Sequence, residues 1–218
     1  MRIMKPAAHA EKQIMDAILE GRWPPGTSLP AERILSQELG ITRPTLRETL
    51  HRLAREGWVT IAHGKPTRVN DYLSSGGLGI LSTLARYGGN LSSEMVKSLL
   101  DARIILLPPI AQRAAQTHPQ ILLEFLNCSP ENTPEALAEY DWALQLTMVR
   151  GADNPILNLM FNDFTPMYAR WCVPYFQDKR VRRKSLDYYA DLICALENKE
   201  PVAPLVASAM EYARGQWP

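Results

Sequence analysis

Arg43 and Arg47 stand four positions apart in the run Gly40-Ile-Thr-Arg-Pro-Thr-Leu-Arg-Glu48. On a helix that spacing puts both guanidinium groups on one face, one turn apart. A guanidinium is a planar fork of donors that matches O6 and N7 of guanine in a major groove. Thr42 and Thr45 add hydroxyls at the same helix start, where unpaired backbone amides already favour phosphate. Arg33, on the preceding segment, can reach base or backbone. Taken singly, each arginine is an ordinary solvated side chain. Together they read DNA only if the flanking elements hold them at one exposed tip.

Those elements are legible. Ile14, Ala17 and Ile18, widened by Met15 and Leu19, repeat at helical spacing between Ala8 and Arg22, and Pro24-Pro25-Gly26 stops the run. Pro30 to Leu39 is a short second helix closed by Gly40. A tight turn follows, and a third helix starts near Thr42, a good N-cap, with Pro44 tolerated in its first turn and Thr45-x-x-Glu48 as a second capping arrangement. Gly57 ends it. From Trp58 the period changes to two, His63-Gly64-Lys65-Pro66 turns the chain, and Thr67 to Asn70 returns as the second arm of a β-hairpin. Three helices and a hairpin with a basic tip, in this order, are a winged helix-turn-helix. The tip offers donors from His63 and Lys65, and Gly64 permits close approach. Arg52 and Arg55 lie deeper in the third helix and read as surface charges.

The bulk numbers agree with a nucleic-acid-binding head on a different body. The formal net charge is +1 over 218 residues. Residues 1–70 hold 11 Lys/Arg against 7 Asp/Glu, for +4, and the remainder is −3. Residues 71–77 have linker character, and residues 78–218 read as a run of helices. These fall at 78–87, 92–116, 119–126, 134–150, 155–176, 179–196 and 201–217, with a kink or break expected at Pro108-Pro109. The expected fold is therefore mainly α, the winged head in 1–70 followed by an all-α antiparallel bundle able to enclose a ligand. Gly76-Gly77-Leu78-Gly79 lacks a preceding strand and a third fingerprint glycine, so it is read as linker and not as a dinucleotide site. Three cysteines without Cys-x-x-Cys spacing read as reduced thiols. With no export signal and no apolar run long enough to span a bilayer, a cytoplasmic protein is expected. No nucleophile elbow, P-loop or paired-carboxylate motif points to an enzyme, and no cofactor is called for.

The runs from Pro24 to Arg33, from Gly40 to Glu48 and from Arg52 to Thr67 resemble the GntR family of bacterial regulators. Within it, His63-Gly64-Lys65-Pro66-Thr67 is similar to the members that respond to long-chain acyl-CoA. The resemblance extends more sparsely to Leu99-Leu100 and Arg103, Asn154-Pro155-Ile156, Tyr175-Phe176 and Tyr188-Tyr189. It implies a homodimer on double-stranded operator DNA, with the wing tip in the minor groove. It further implies repression of fatty-acid degradation genes, with activation elsewhere, under control of a long-chain acyl-CoA. Pro44 departs from a position where those members usually carry a hydroxyl, which removes one contact.

Many family relatives hold a divalent metal with an Asp, a His four residues later and two further His. Here Asp141 is followed by Gln145, and His118 is the sole histidine after Asn70, so that site cannot be built. What remains is an apolar cavity. Arg103, within an apolar stretch, needs a partner; it is either a salt-bridge residue, with Asp141 as candidate, or the arginine that the resemblance places on the acyl-CoA pocket. Tyr175, Tyr189 and Trp217 match ligand-region aromatics of the family. The basic run Lys179 to Lys184 reads as a solvated face, with attraction of CoA phosphates as the alternative. The acyl-CoA-sensing members continue past the position of Trp217, whereas this sequence stops at Pro218, so a weaker or different grip on CoA is expected. A GntR-type regulator of another small metabolite is the competing reading.

Overall fold

The computed structural model describes residues 6–77, 79–87 and 93–216. The chain divides into two compact units, residues 1–89 and 90–218.

In the first unit, α1 (Pro6–Leu19) buries Ala10, Ile14, Met15 and Ala17 and packs on α3 (Arg43–Glu56), with α2 (Glu32–Glu38) beside it. The first helix ends three residues before the expected Arg22, because Trp23 N donates back to Ala17 O and closes the turn ahead of the prolines. α3 begins as its capping residue dictates: Thr42 is extended and its side chain accepts from Thr45 N, with a proline in the first turn. The second capping arrangement is not used, since the Thr45 hydroxyl pairs with that of Thr42. Gly57 at φ +94° closes the helix with a left-handed residue, which a side chain would strain. The hairpin is shorter than its alternation implied. β1 (Val59–Thr60) pairs antiparallel with β2 (Arg68–Val69), and the other edge of β2 is taken by residues 27–29 through Leu29 N to Thr67 O and Val69 N to Thr27 O. The strap of residues 24–29 thus braces the hairpin base.

Residues expected to be linker carry structure. Asp71 caps a single helical turn, α4 (Tyr72–Ser75), Tyr72 rests against Trp58 with ring centroids 4.6 Å apart, and α5 (Gly79–Tyr87) contacts α1. Both helices belong to the first unit.

The second unit comprises α6 (Ser93–Thr117), α7 (Pro119–Leu126), α8 (Pro134–Gly151), α9 (Pro155–Tyr175), α10 (Lys179–Glu197) and α11 (Ala203–Gly215). α8 is the central rod, in contact with α6, α7 and α9, while α11 lies along α6. Thr133, Asn154 and Asp178 cap α8, α9 and α10, and prolines open α7, α8 and α9. α6 runs through Pro108-Pro109 without interruption. The Gln112 carbonyl of α6 accepts from Val202 N and Ala203 N, so a side chain of one helix caps the next and docks it. No described helix is long and apolar enough to cross a membrane.

Arg52 is no simple surface charge. It pairs with Glu11, whose side chain is only 3% exposed, and so fastens α3 to α1. Removing the cation strands a buried carboxylate. Arg52→Ala is expected to destabilise the first unit by about 2–3 kcal/mol in urea unfolding, less than a fully buried pair because the arginine keeps some solvent. Replacing both partners by methionine should lose less than Arg52→Ala alone.

Candidate functional site

Arg43 and Arg47, in the first turns of α3, are both exposed, whereas Leu46, Thr49, Leu50 and Leu53 of the same helix are buried. The structure thus brings the two arginines to the start of one amphipathic helix, beside the capping hydroxyls of Thr42 and Thr45, which lie 2.9 Å apart. Arg33 is exposed on α2. One partner was not anticipated: Nε of Arg47 donates to Glu32 Oε2 at 2.7 Å, across from α2 to α3. At the hairpin tip His63, Gly64 and Lys65 are all exposed; Gly64 has φ +69°, and Lys65 N donates to Ala62 O to close the turn. The donors therefore sit on two rigid elements, a capped helix and a braced hairpin.

The second unit contains a cleft walled by apolar side chains such as Val96, Leu99, Leu100, Phe161, Phe164 and Leu205. Arg103 and Tyr175 line it, as does Asp141. Arg103 lies beside its candidate partner: its Nη2 is 4.0 Å from Asp141 Oδ2, and the guanidinium carbon lies 5.1 Å from the centre of the Tyr168 ring. Nη2 also contacts Met210 Sδ at 3.1 Å, and the buried Nε has no hydrogen-bond partner among the described residues. A cation therefore lines the cleft, with its Nε buried and unpaired among the described residues. Tyr189 is not on the lining; it is buried behind, donating to Asp141 Oδ1 at 2.9 Å, and its neighbour Tyr188 lines the cleft instead. Trp217 lies outside the described residues. Lys184 reaches the lining from the basic run.

Asp141, expected only as a candidate partner of Arg103, holds more than that one contact. Its carboxylate accepts from Tyr168, from Tyr189 and from Gln145 Nε2 at 2.7 Å, with Arg103 adjacent. The available signal was a carboxylate in the middle of a long helix with few polar neighbours. His118 pairs with Asp153 at 2.8 Å. Among the described residues no group of three or more His, Cys, Asp and Glu side chains is placed to hold a metal ion.

Burial works against the charge on Arg103, but Tyr168, Asp141, Cys172 and Tyr175 outweigh it and raise its pKa, so the guanidinium stays charged. Burial pushes the Tyr168 and Tyr189 phenols well above their usual range, and the Asp141 charge adds to it. Burial also lifts the Cys172 thiol, with Arg103 opposing, so this cleft cysteine remains a protonated, unreactive wall residue.

Two family descriptions cover the chain. Residues 6–69 match "Bacterial regulatory proteins, gntR family", and residues 70–215 match "FadR C-terminal domain". A fatty acid metabolism regulator protein of Erwinia tasmaniensis is 37% identical over 216 residues, covering 98% of this chain and 90% of the relative. One of the same description from Shewanella pealeana is 42% identical over 189 residues, covering 86% of this chain and 79% of the relative. Among solved structures, that of Lar, which controls expression of the Listeria monocytogenes agr system, superposes with a TM-score of 0.67 at 16% identity. That match covers 99% of this chain and 98% of that one, and it shows a shared fold.

The raised phenol values have a pH consequence. The folded values of Tyr140 (about 12), Tyr168, Tyr175, Tyr188 and Tyr189 exceed the ordinary 10.0, chiefly through burial, so the unfolded chain releases these protons first. Their stabilising contribution is complete below pH 10 and is lost as the pH rises through the folded values, about 12 for Tyr140. Tyrosinate absorbance from these five should therefore appear only as helicity disappears. Titration of all eight tyrosines near pH 10 in a still-helical chain is the contrary result.

Proposed function

The chain belongs to the GntR family of bacterial regulatory proteins with a FadR C-terminal domain, a transcription regulator and not an enzyme, and from that premise we propose that it controls fatty-acid metabolism as a cytoplasmic homodimer whose grip on operator DNA is loosened by a long-chain acyl-CoA. In this reading Arg43 and Arg47 address base edges in a major groove. Arg33, Thr42 and Thr45 hold the helix start on the backbone, and His63, Gly64 and Lys65 bring the wing tip into the adjacent minor groove. A two-fold dimer meets two half-sites of a pseudo-palindrome.

The effector half rests on one observation above all: an apolar cleft whose polar wall holds Arg103 with an unused buried donor. An acyl chain supplies apolar surface for the walls, and its thioester carbonyl supplies an acceptor for the guanidinium, with Tyr175 alongside. Tyr189 acts through Asp141, holding the carboxylate that positions Arg103. Opening the cleft for the chain shifts the helices around α8. Coupling of about 1–3 kcal/mol between the two sites is enough to release DNA at cellular effector levels.

Arg43→Ala and Arg47→Ala are each expected to weaken operator binding by about 1–3 kcal/mol while leaving the melting temperature at the parent value. Gel-shift affinities equal to the parent's would refute those roles. Titration calorimetry with oleoyl-CoA should show saturable binding, and the same compound should dissolve the shifted complex. Arg103→Ala should bind oleoyl-CoA more weakly and need more of it for release. Binding of oleoyl-CoA without any effect on the DNA complex would sink the proposed regulation and leave the DNA-binding assignment standing.

A further inference from the structure

A carboxylate at a DNA-facing tip is out of place, because it repels phosphate. Glu32 nevertheless opens α2 beside the base-reading end of α3, and its Oε2 accepts from Arg47 Nε at 2.7 Å. The two side chains are 37% and 65% exposed, so the pair adds little to folding. Its geometry matters more than its strength. A guanidinium has five N–H donors, and this bond uses Nε; the two terminal amino groups, the ones that match guanine O6 and N7, are left for another acceptor. No ion pair of this kind is made by Arg43 among the described residues.

Two physical effects follow for Arg47. A long side chain that is already tethered loses less freedom on reaching a base edge. Its charge is also matched locally, so it adds little to the sequence-independent attraction to phosphate that comes from counterion release. Specificity is a difference of affinities, and such a tether raises one while holding down the other.

We propose that Glu32 is a positioning residue for sequence reading, which aims the guanidinium of Arg47 at one base pair of each half-site and suppresses its use as a general phosphate contact. This rests on the DNA-binding reading above.

The test uses the full chain, a duplex it enriches from a randomised pool, every single base-pair variant of that duplex, and a mixed-sequence duplex. With Glu32→Gln, the ratio of enriched to mixed-sequence affinity should fall about tenfold, the size of a single base-contact effect. Mixed-sequence binding should tighten about two- to threefold, and its salt slope should steepen by up to about 1. Discrimination should be lost at one base pair per half-site, the same one lost in Arg47→Ala, and the double variant should discriminate no worse there than Arg47→Ala alone. Glu32→Ala should repeat the pattern. Parent-like discrimination at every base pair, or equal weakening on both duplexes, overturns the proposal. A parent chain that enriches no sequence at all overturns the DNA-binding reading and this inference with it, and that outcome is seen before any variant is made.

Discussion

A charge inside an apolar body must be surrounded by donors, and in the second unit that demand is concentrated on Asp141. Its carboxylate collects hydrogen bonds from Tyr168 of α9, Tyr189 of α10 and Gln145 of α8, with Arg103 of α6 as counter-charge. Four helices are thereby keyed to one group on the central rod. The arrangement satisfies the carboxylate more fully than the cation, since Arg103 retains an unpartnered Nε at the cleft wall. The same network balances the charge on Asp141 and fixes the position of Arg103.

In the first unit the controlling constraint is the helix start. Unpaired amides at the head of α3 need an acceptor, and Thr42 supplies it. The capping geometry fixes where the helix begins and therefore which side of it Arg43 and Arg47 occupy. The Glu11–Arg52 pair then fastens that helix to α1, and the strap of residues 24–29 braces the hairpin. Arg43, Arg47 and the hairpin tip stand on parts that the fold has already tied down.

Much of this was readable from residue types because the signals are local. The Thr42 cap and Gly57 bounded α3 to within about a residue, and the expected helices at 119–126, 134–150, 155–176 and 179–196 match α7 to α10 within a residue at each end. Resemblance to known regulators supplied Arg103 and Tyr175, both of which the structure puts on the cleft. What escaped was non-local. The strand-like pairing of residues 27–29 depends on the far arm of the hairpin, and the Gln112 cap of α11 joins positions ninety apart in sequence. Glu32 on Arg47 and the donors around Asp141 likewise arise only when separate helices meet. Tyr188 and Tyr189 show the limit well: adjacent residues of one helix point differently, and the choice between cleft wall and buried support depends on how α10 is rotated against its neighbours. Pro108-Pro109 shows another, since packing on α8 and α11 carries α6 through a site that a free helix would abandon.

The seam between the two family descriptions falls after residue 69, yet the first compact body runs on to residue 89. Tyr72 rests against the Trp58 ring, and Gly76 packs so closely on Gly57 and Ile80 that a side chain at position 76 would collide with Ile80. Inheritance and mechanics thus divide the molecule at different points. An exchange of sensors between regulators of this build that cut at the inherited seam would leave an indole bare at the foot of the wing. One that carried the next twenty residues along with the head would keep it covered, which makes α4 and α5 a natural adaptor for recombining heads with new sensors.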